Sequence, residues 1–158
     1  MLHKPLGHYL RQTRWGIGLL LAVAILRFLM LPLFQVPYEE GTHWVSLTVL
    51  LPVIMVVYSV VVARAGGTFR DVLGIALCLG FASALFVILG IGIDGLGGVN
   101  TYYSVGEGDM NPASHMLAHG VAGIVFTLLL WGVGALTYLV AGGRSSRAVV
   151  TDATISRE

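Results

Sequence analysis

Four long apolar stretches, Trp15–Leu33, Val45–Val62, Val72–Ile93 and His115–Val140, dominate this chain of 158 residues. Each is near or above the roughly 20 residues that an α-helix needs to cross the hydrocarbon core of a bilayer. The fold expected is all-α: a polytopic membrane protein with a four-transmembrane-helix bundle over 15–141 and no soluble domain. Composition agrees, since 56% hydrophobic and 11% charged residues, with a mean hydropathy of +0.86, describe a chain whose solvent is largely lipid.

The charges between the stretches are one-sided. Lys4, Arg11, Arg14, Arg64, Arg70, Arg144, Arg147 and Arg157 fall in the N-terminal segment 1–14, the second loop or the C-terminal segment 142–158. The first and third loops hold Glu39, Glu40, Asp94, Glu107 and Asp109 and no base. By the positive-inside rule both termini are expected in the cytoplasm and the two acidic loops outside. The bases thus serve as topology signals and form no dense patch, which argues against nucleic acid as a partner. A multi-pass position, with a bacterial inner (plasma) membrane as the expected one, makes the bilayer itself the first partner.

The ends carry little else. Trp15–Leu33 exceeds the roughly 7–15 residues of a secretory apolar region and no small-x-small site closes it, so an uncleaved first helix is expected. The segment 142–158 has too little apolar content to fold alone and is expected to be a flexible tail. The single cysteine, Cys78, excludes an intramolecular disulfide and any paired-cysteine metal or redox motif.

Helix contacts are suggested by small residues. Ala76, Gly80 and Ala84 recur every fourth residue on the third helix, and Ala118 and Ala122 repeat the spacing on the fourth. Such stripes let backbones approach where lipid gives no hydrophobic drive, and packing within the chain is expected, with a homodimer or another membrane subunit as the rival use. Pro32 and Pro52 are expected to kink the first and second helices, freeing the carbonyls of Phe28 and Thr48.

The third loop, 94–114, is too long for a turn. It is glycine-rich, carries Tyr102 and Tyr103, and ends in Asn111-Pro112, an N-cap followed by proline at the first helical position. That start puts His115 and His119 four residues apart on one face near the outer boundary. His43, just before the second span, belongs to the same layer by topology. Imidazoles at this spacing can share a divalent ion such as zinc or copper, with His43, Asp109, Glu107 or Asp94 completing the set. Haem ranks lower, because His115 and His119 on one helix cannot ligate opposite faces of one macrocycle.

Arg27 is the other unusual residue, placed by the apolar boundaries about midway along the first span. An arginine at that depth costs about 2.5–3.5 kcal/mol on insertion scales and needs an internal partner. The candidates are freed carbonyls, Tyr58, Asp94 or an anionic lipid-soluble ligand. Two function classes follow. One is a non-catalytic accessory or ligand-binding subunit with an external histidine and carboxylate vestibule. The other is a membrane enzyme or transporter acting on an anionic, lipid-soluble substrate held by Arg27. The first is favoured because Arg27 is expected roughly 10 Å or more below the histidines, at ~1.5 Å of rise per residue, so that the titratable groups would not converge.

Overall fold

The structure, a computed structural model, describes residues 2, 4–42, 45–104 and 111–143. It consists of α1 (Leu6–Leu29), a single turn α2 (Tyr38–Gly41), α3 (Leu47–Arg64), α4 (Phe69–Gly97) and α5 (Pro112–Val140). All but α2 are long and apolar enough to cross a membrane. Their outward faces carry large apolar side chains, among them Phe81, Leu117, Ile124 and Val140. A surface apolar on this scale belongs in lipid, and the chain is an integral multi-pass membrane protein.

Inside the bundle, α4 packs against α5, α1 and α3. Leu20, Leu51, Met55, Val72, Ile75, Leu79 and Leu130 form the buried core. Close approach of α4 and α5 depends on small residues. A Cβ at Gly80 would collide with Thr127, and one at Gly123 would stand 2.8 Å from the Cβ of Ala84. Gly80 and Ala84 therefore face α5 as the spacing predicts. Ala118 and Ala122 do not supply the partner surface, for both are exposed. Gly123 and Thr127 do so instead, because the seam follows the positions that leave room for the facing side chain.

The first helix differs most from expectation. It begins at Leu6, nine residues before the expected span, and ends at Leu29, before Pro32. Two effects account for the shift. Tyr9 and Thr13, one turn apart on one face, are fully buried, and Tyr9 lies against Gly74, where a Cβ would meet its ring at 2.6 Å. Burial thus makes helix of a stretch whose charges, Arg11 and Arg14, read as a tail. At the other end Pro32 cannot donate to the carbonyl of Phe28 and its ring would clash there, so the helix stops short and turns 30–34 follow. Pro32 ends α1 rather than kinking it. Pro52 does lie inside α3.

The two ends of the bundle are distinct. At one, Asp71 in the first turn of α4 is buried and accepts from Tyr9 Oη at 3.2 Å, Thr68 N at 2.8 Å and Thr68 Oγ1 at 3.0 Å. Lys4 Nζ stands 3.2 Å from the same carboxylate. Tyr138 Oη donates to Gly67 O at 2.9 Å, tying the end of α5 to the turn between α3 and α4. At the opposite end lie Arg27, Val45, Tyr102, Tyr103 and His115.

Candidate ligand-binding site

The end opposite Asp71 is organised by the segment that follows α4. That helix runs on to Gly97 and closes on Gly98 in the left-handed region, with φ 60°, a conformation glycine adopts without strain. Asp94, nearly inaccessible, accepts from Thr101 N at 3.0 Å and Thr101 Oγ1 at 2.7 Å. These bonds fold the chain back over the bundle and bring in Tyr102 and Tyr103, which are 2% and 5% exposed. The hydroxyl of Tyr102 makes a shared donation to the carbonyls of Val36 and Pro37, both at 2.8 Å. The hydroxyl of Tyr103 donates to Ala24 O at 3.3 Å, and its ring lies against Gly90, where a Cβ would meet it at 2.7 Å.

Arg27 sits among these groups, in the last turn of α1. Because the helix ends two residues later, the guanidinium starts only about 3 Å of axial rise from the helix terminus. Its Nη1 donates to Val45 O at 3.3 Å and its Nη2 to Tyr102 O at 3.4 Å. The guanidinium carbon lies 5.4 Å from the centre of the Tyr103 ring, within cation–π range. Burial pushes the Tyr103 phenol up to about 12, the charge of Arg27 pulling against it. The Tyr102 phenol is raised as well, by burial first and then by Glu40, with Arg27 again opposing. Both rings are neutral at physiological pH, so Arg27 faces dipoles. Among the described residues, no carboxylate forms an ion pair with it.

These groups form the wall of a cavity of about 410 Å³. Arg27, Tyr38, Tyr102, Tyr103, His115 and His119 are its polar lining, and Ser83, Ala84, Val87, Ala122, Gly123 and Phe126 continue it along α4 and α5. The ring centres of His115 and His119 are 4.7 Å apart, as i, i+4 spacing requires. Arg27, expected well below the histidines, lies in the last turn of α1 and lines the same cavity as His115 and His119.

Other predicted site residues lie elsewhere. Tyr58 accepts from Gly16 N at 3.2 Å, away from this cavity, and Asp94 is taken up by Thr101. His43, Glu107 and Asp109 lie outside the described residues. Among the described residues no group of three histidine, cysteine or acidic side chains is placed to hold a metal ion. Ser83, Val87 and Phe126 line the cavity without having been legible in the sequence; the only signal was their place on the facing sides of α4 and α5, which becomes meaningful once the packing of these helices is known. Comparison with protein-family models, curated proteins and solved structures finds no match for this chain.

Proposed function

We propose that this protein is a small, non-catalytic ligand-binding subunit of a bacterial inner membrane, whose cavity at the Arg27 end faces outward and holds an anionic group. The outward orientation rests on the positive-inside rule, since the Asp71 end carries Lys4, Arg64 and Arg70 and the Arg27 end carries Glu39 and Glu40. One observation carries the reading: a guanidinium in a cavity wall spends two of its five donors on long bonds to carbonyls and has no carboxylate partner among the described residues. An anion supplies the charge-assisted partners that carbonyls do not, each worth about 1.5–3 kcal/mol.

Convergence of Arg27 with His115 and His119 supports the second reading as well, a membrane enzyme or transporter acting on the same anion, because acid–base groups at one depth are what such chemistry needs. Binding is common to both. Thermal unfolding of the detergent-purified protein with phosphatidylglycerol and with phosphatidylcholine tests it. Stabilisation by the anionic lipid that disappears in Arg27→Gln and survives in part in Arg27→Lys is the expected result; equal stabilisation by both lipids in parent and variant would sink the reading.

A further inference from the structure

The shape of the cavity narrows the ligand class further, on the reading that Arg27 holds an anion. On α5 its lining runs from His115 to Phe126, eleven residues or about 16 Å of helix rise. That is half of the ~30 Å hydrocarbon core, the depth of one leaflet. Polarity changes along this length. Arg27, Tyr38, Tyr102 and the two histidines stand at the outer end, while Gly80, Ala84, Ala122, Gly123 and Phe126, with the single hydroxyl of Ser83 among them, stand toward the middle of the bundle. A soluble anion has no use for the apolar half.

The cavity also has a side facing lipid. Helices α3 and α5 touch at Gly134, where a Cβ would meet Met55 Cε, Ser59 Oγ and Val72 Cγ1. Thr48 lies seven and eleven residues before Met55 and Ser59, on the same face of α3. Met55 and Ser59 are wholly inaccessible, yet Thr48 is exposed, as is Ala122 across from it on α5. Both line the cavity. The two helices therefore part above their contact, and the slot between them opens into the bilayer. Pro52 fits this divergence, since it deprives the Thr48 carbonyl of its donor within α3.

We infer that the ligand is an anionic amphiphile drawn from the surrounding leaflet, with its headgroup at Arg27 and one acyl chain lying in the slot between α3 and α5. The volume, about 410 Å³, is at the lower end for ligand sites. It suits a headgroup and part of one chain, leaving a second chain in lipid.

Two other grooves face the bilayer and provide internal controls. One runs between α4 and α5 on the far side of their seam, lined by Phe81, Leu85, Ile124 and Leu128. The other runs between α1 and α4, lined by Leu21, Ile25, Leu89 and Ile93 and closed from the Arg27 cavity by the Tyr103 ring, which lines both. Neither presents a cation among its lining residues.

The test uses the full chain in phosphatidylcholine nanodiscs containing trace phosphatidylglycerol or phosphatidylcholine with a diazirine midway along one acyl chain. Irradiation and peptide mapping should show labelling of Thr48, Ala122 and Phe126 at least fivefold higher with the anionic probe, an excess that Arg27→Gln removes. Anion-selective labelling in either control groove would overturn the chain path. So would equal labelling by both probes while phosphatidylglycerol still stabilises the parent and not Arg27→Gln, which leaves the Arg27 reading intact. Inorganic phosphate is the third arm: stabilisation by phosphate alone equal to that by phosphatidylglycerol would replace the amphiphile with a soluble anion. Absence of any Arg27-dependent stabilisation, together with equal labelling, would remove the underlying binding reading itself.

Discussion

Each end of the bundle places an ionisable side chain away from bulk water, and the two are satisfied in opposite ways. Asp71 collects donors from the N-terminal segment, from α1 and from the turn before α4, at 2.8–3.2 Å. Arg27 has two carbonyls at 3.3 and 3.4 Å and an aromatic face. The first arrangement leaves no acceptor capacity for a ligand, and the buried Tyr9 is part of it. The second leaves further donors on a residue that lines a cavity. On the proposed reading the two ends separate stability from binding: the cost of burying a charge is met by the fold at one end and left for a ligand at the other.

Asp71→Ala should produce the largest change in stability. It strands the Tyr9 hydroxyl, the Thr68 amide and the Lys4 ammonium, and removing one member of a buried charged network costs about 3 kcal/mol or more. Thermal unfolding in detergent should show this as the largest loss of any single polar substitution, while the anion affinity of the surviving folded protein stays within twofold, as distant and independent sites allow. A matching loss of anion affinity would break the separation of the two ends.

Arg27→Gln should invert that pattern. Losing two long hydrogen bonds and a cation–π contact costs the fold about 1 kcal/mol, but losing the charge-assisted bonds to an anion weakens binding roughly tenfold to a hundredfold, the equivalent of about 1.5–3 kcal/mol. Titration of the purified protein with phosphatidylglycerol in a phosphatidylcholine background measures the second effect, and unfolding measures the first. If Arg27→Gln unfolded as readily as Asp71→Ala, Arg27 would be a structural residue like its counterpart and the cavity would lose its claim to be a site.

The parts of the fold that are legible in the sequence divide along the same line. The four crossings, the start of α5 at Pro112 and the seam residues Gly80 and Ala84 follow from hydropathy, capping chemistry and side-chain size, which act locally and leave their mark in the sequence. The register of α1 does not. Its first nine residues are helical because Tyr9 packs against Gly74 and donates to Asp71 on α4 while Thr13 is buried one turn on, a tertiary cause invisible in a stretch bearing Arg11 and Arg14. That shift of register places Arg27 at the end of the helix, where it lines one cavity with the histidines. The folding of 98–104 was hidden for a similar reason: a glycine-rich segment with two tyrosines gives no indication that Asp94 will hold Thr101 and thereby fix Tyr102 and Tyr103 in place.

Zinc offers a sharper test of how the Arg27 end uses its histidines. Two imidazoles 4.7 Å apart provide half of a tetrahedral set. With no further ligand among the described residues, zinc at 100 μM should raise the midpoint of unfolding by no more than about 2 °C, well short of the shift that 2.7 kcal/mol would give at a hundredfold excess over the dissociation constant. A larger rise, lost in His119→Ala and retained in His8→Ala, would show that His43, Glu107 or Asp109 completes a metal site and would move the chemistry of this end from anion to cation.

The smallest effect concerns Tyr103, and its sign depends on pH. At neutral pH, Tyr103→Phe removes one hydrogen bond of 3.3 Å to Ala24 O, so the variant should be less stable by about 0.5–1.5 kcal/mol. The phenol ionises near 10 in the unfolded chain and at about 12 in the folded one, because burial outweighs the attraction of Arg27. A raised folded value means that the unfolded chain releases the proton first. The stability tied to neutral Tyr103 is complete below pH 10 and drains away as pH rises toward 12. Phenylalanine has no proton to lose. Unfolding measured on both proteins from pH 7 to pH 11.5 should therefore show curves that converge above pH 10, with other titrations common to the two cancelling in the difference. Parallel curves would mean that Tyr103 ionises as an exposed phenol does, and the Arg27 end would then be open to water at the point where its wall is drawn closed.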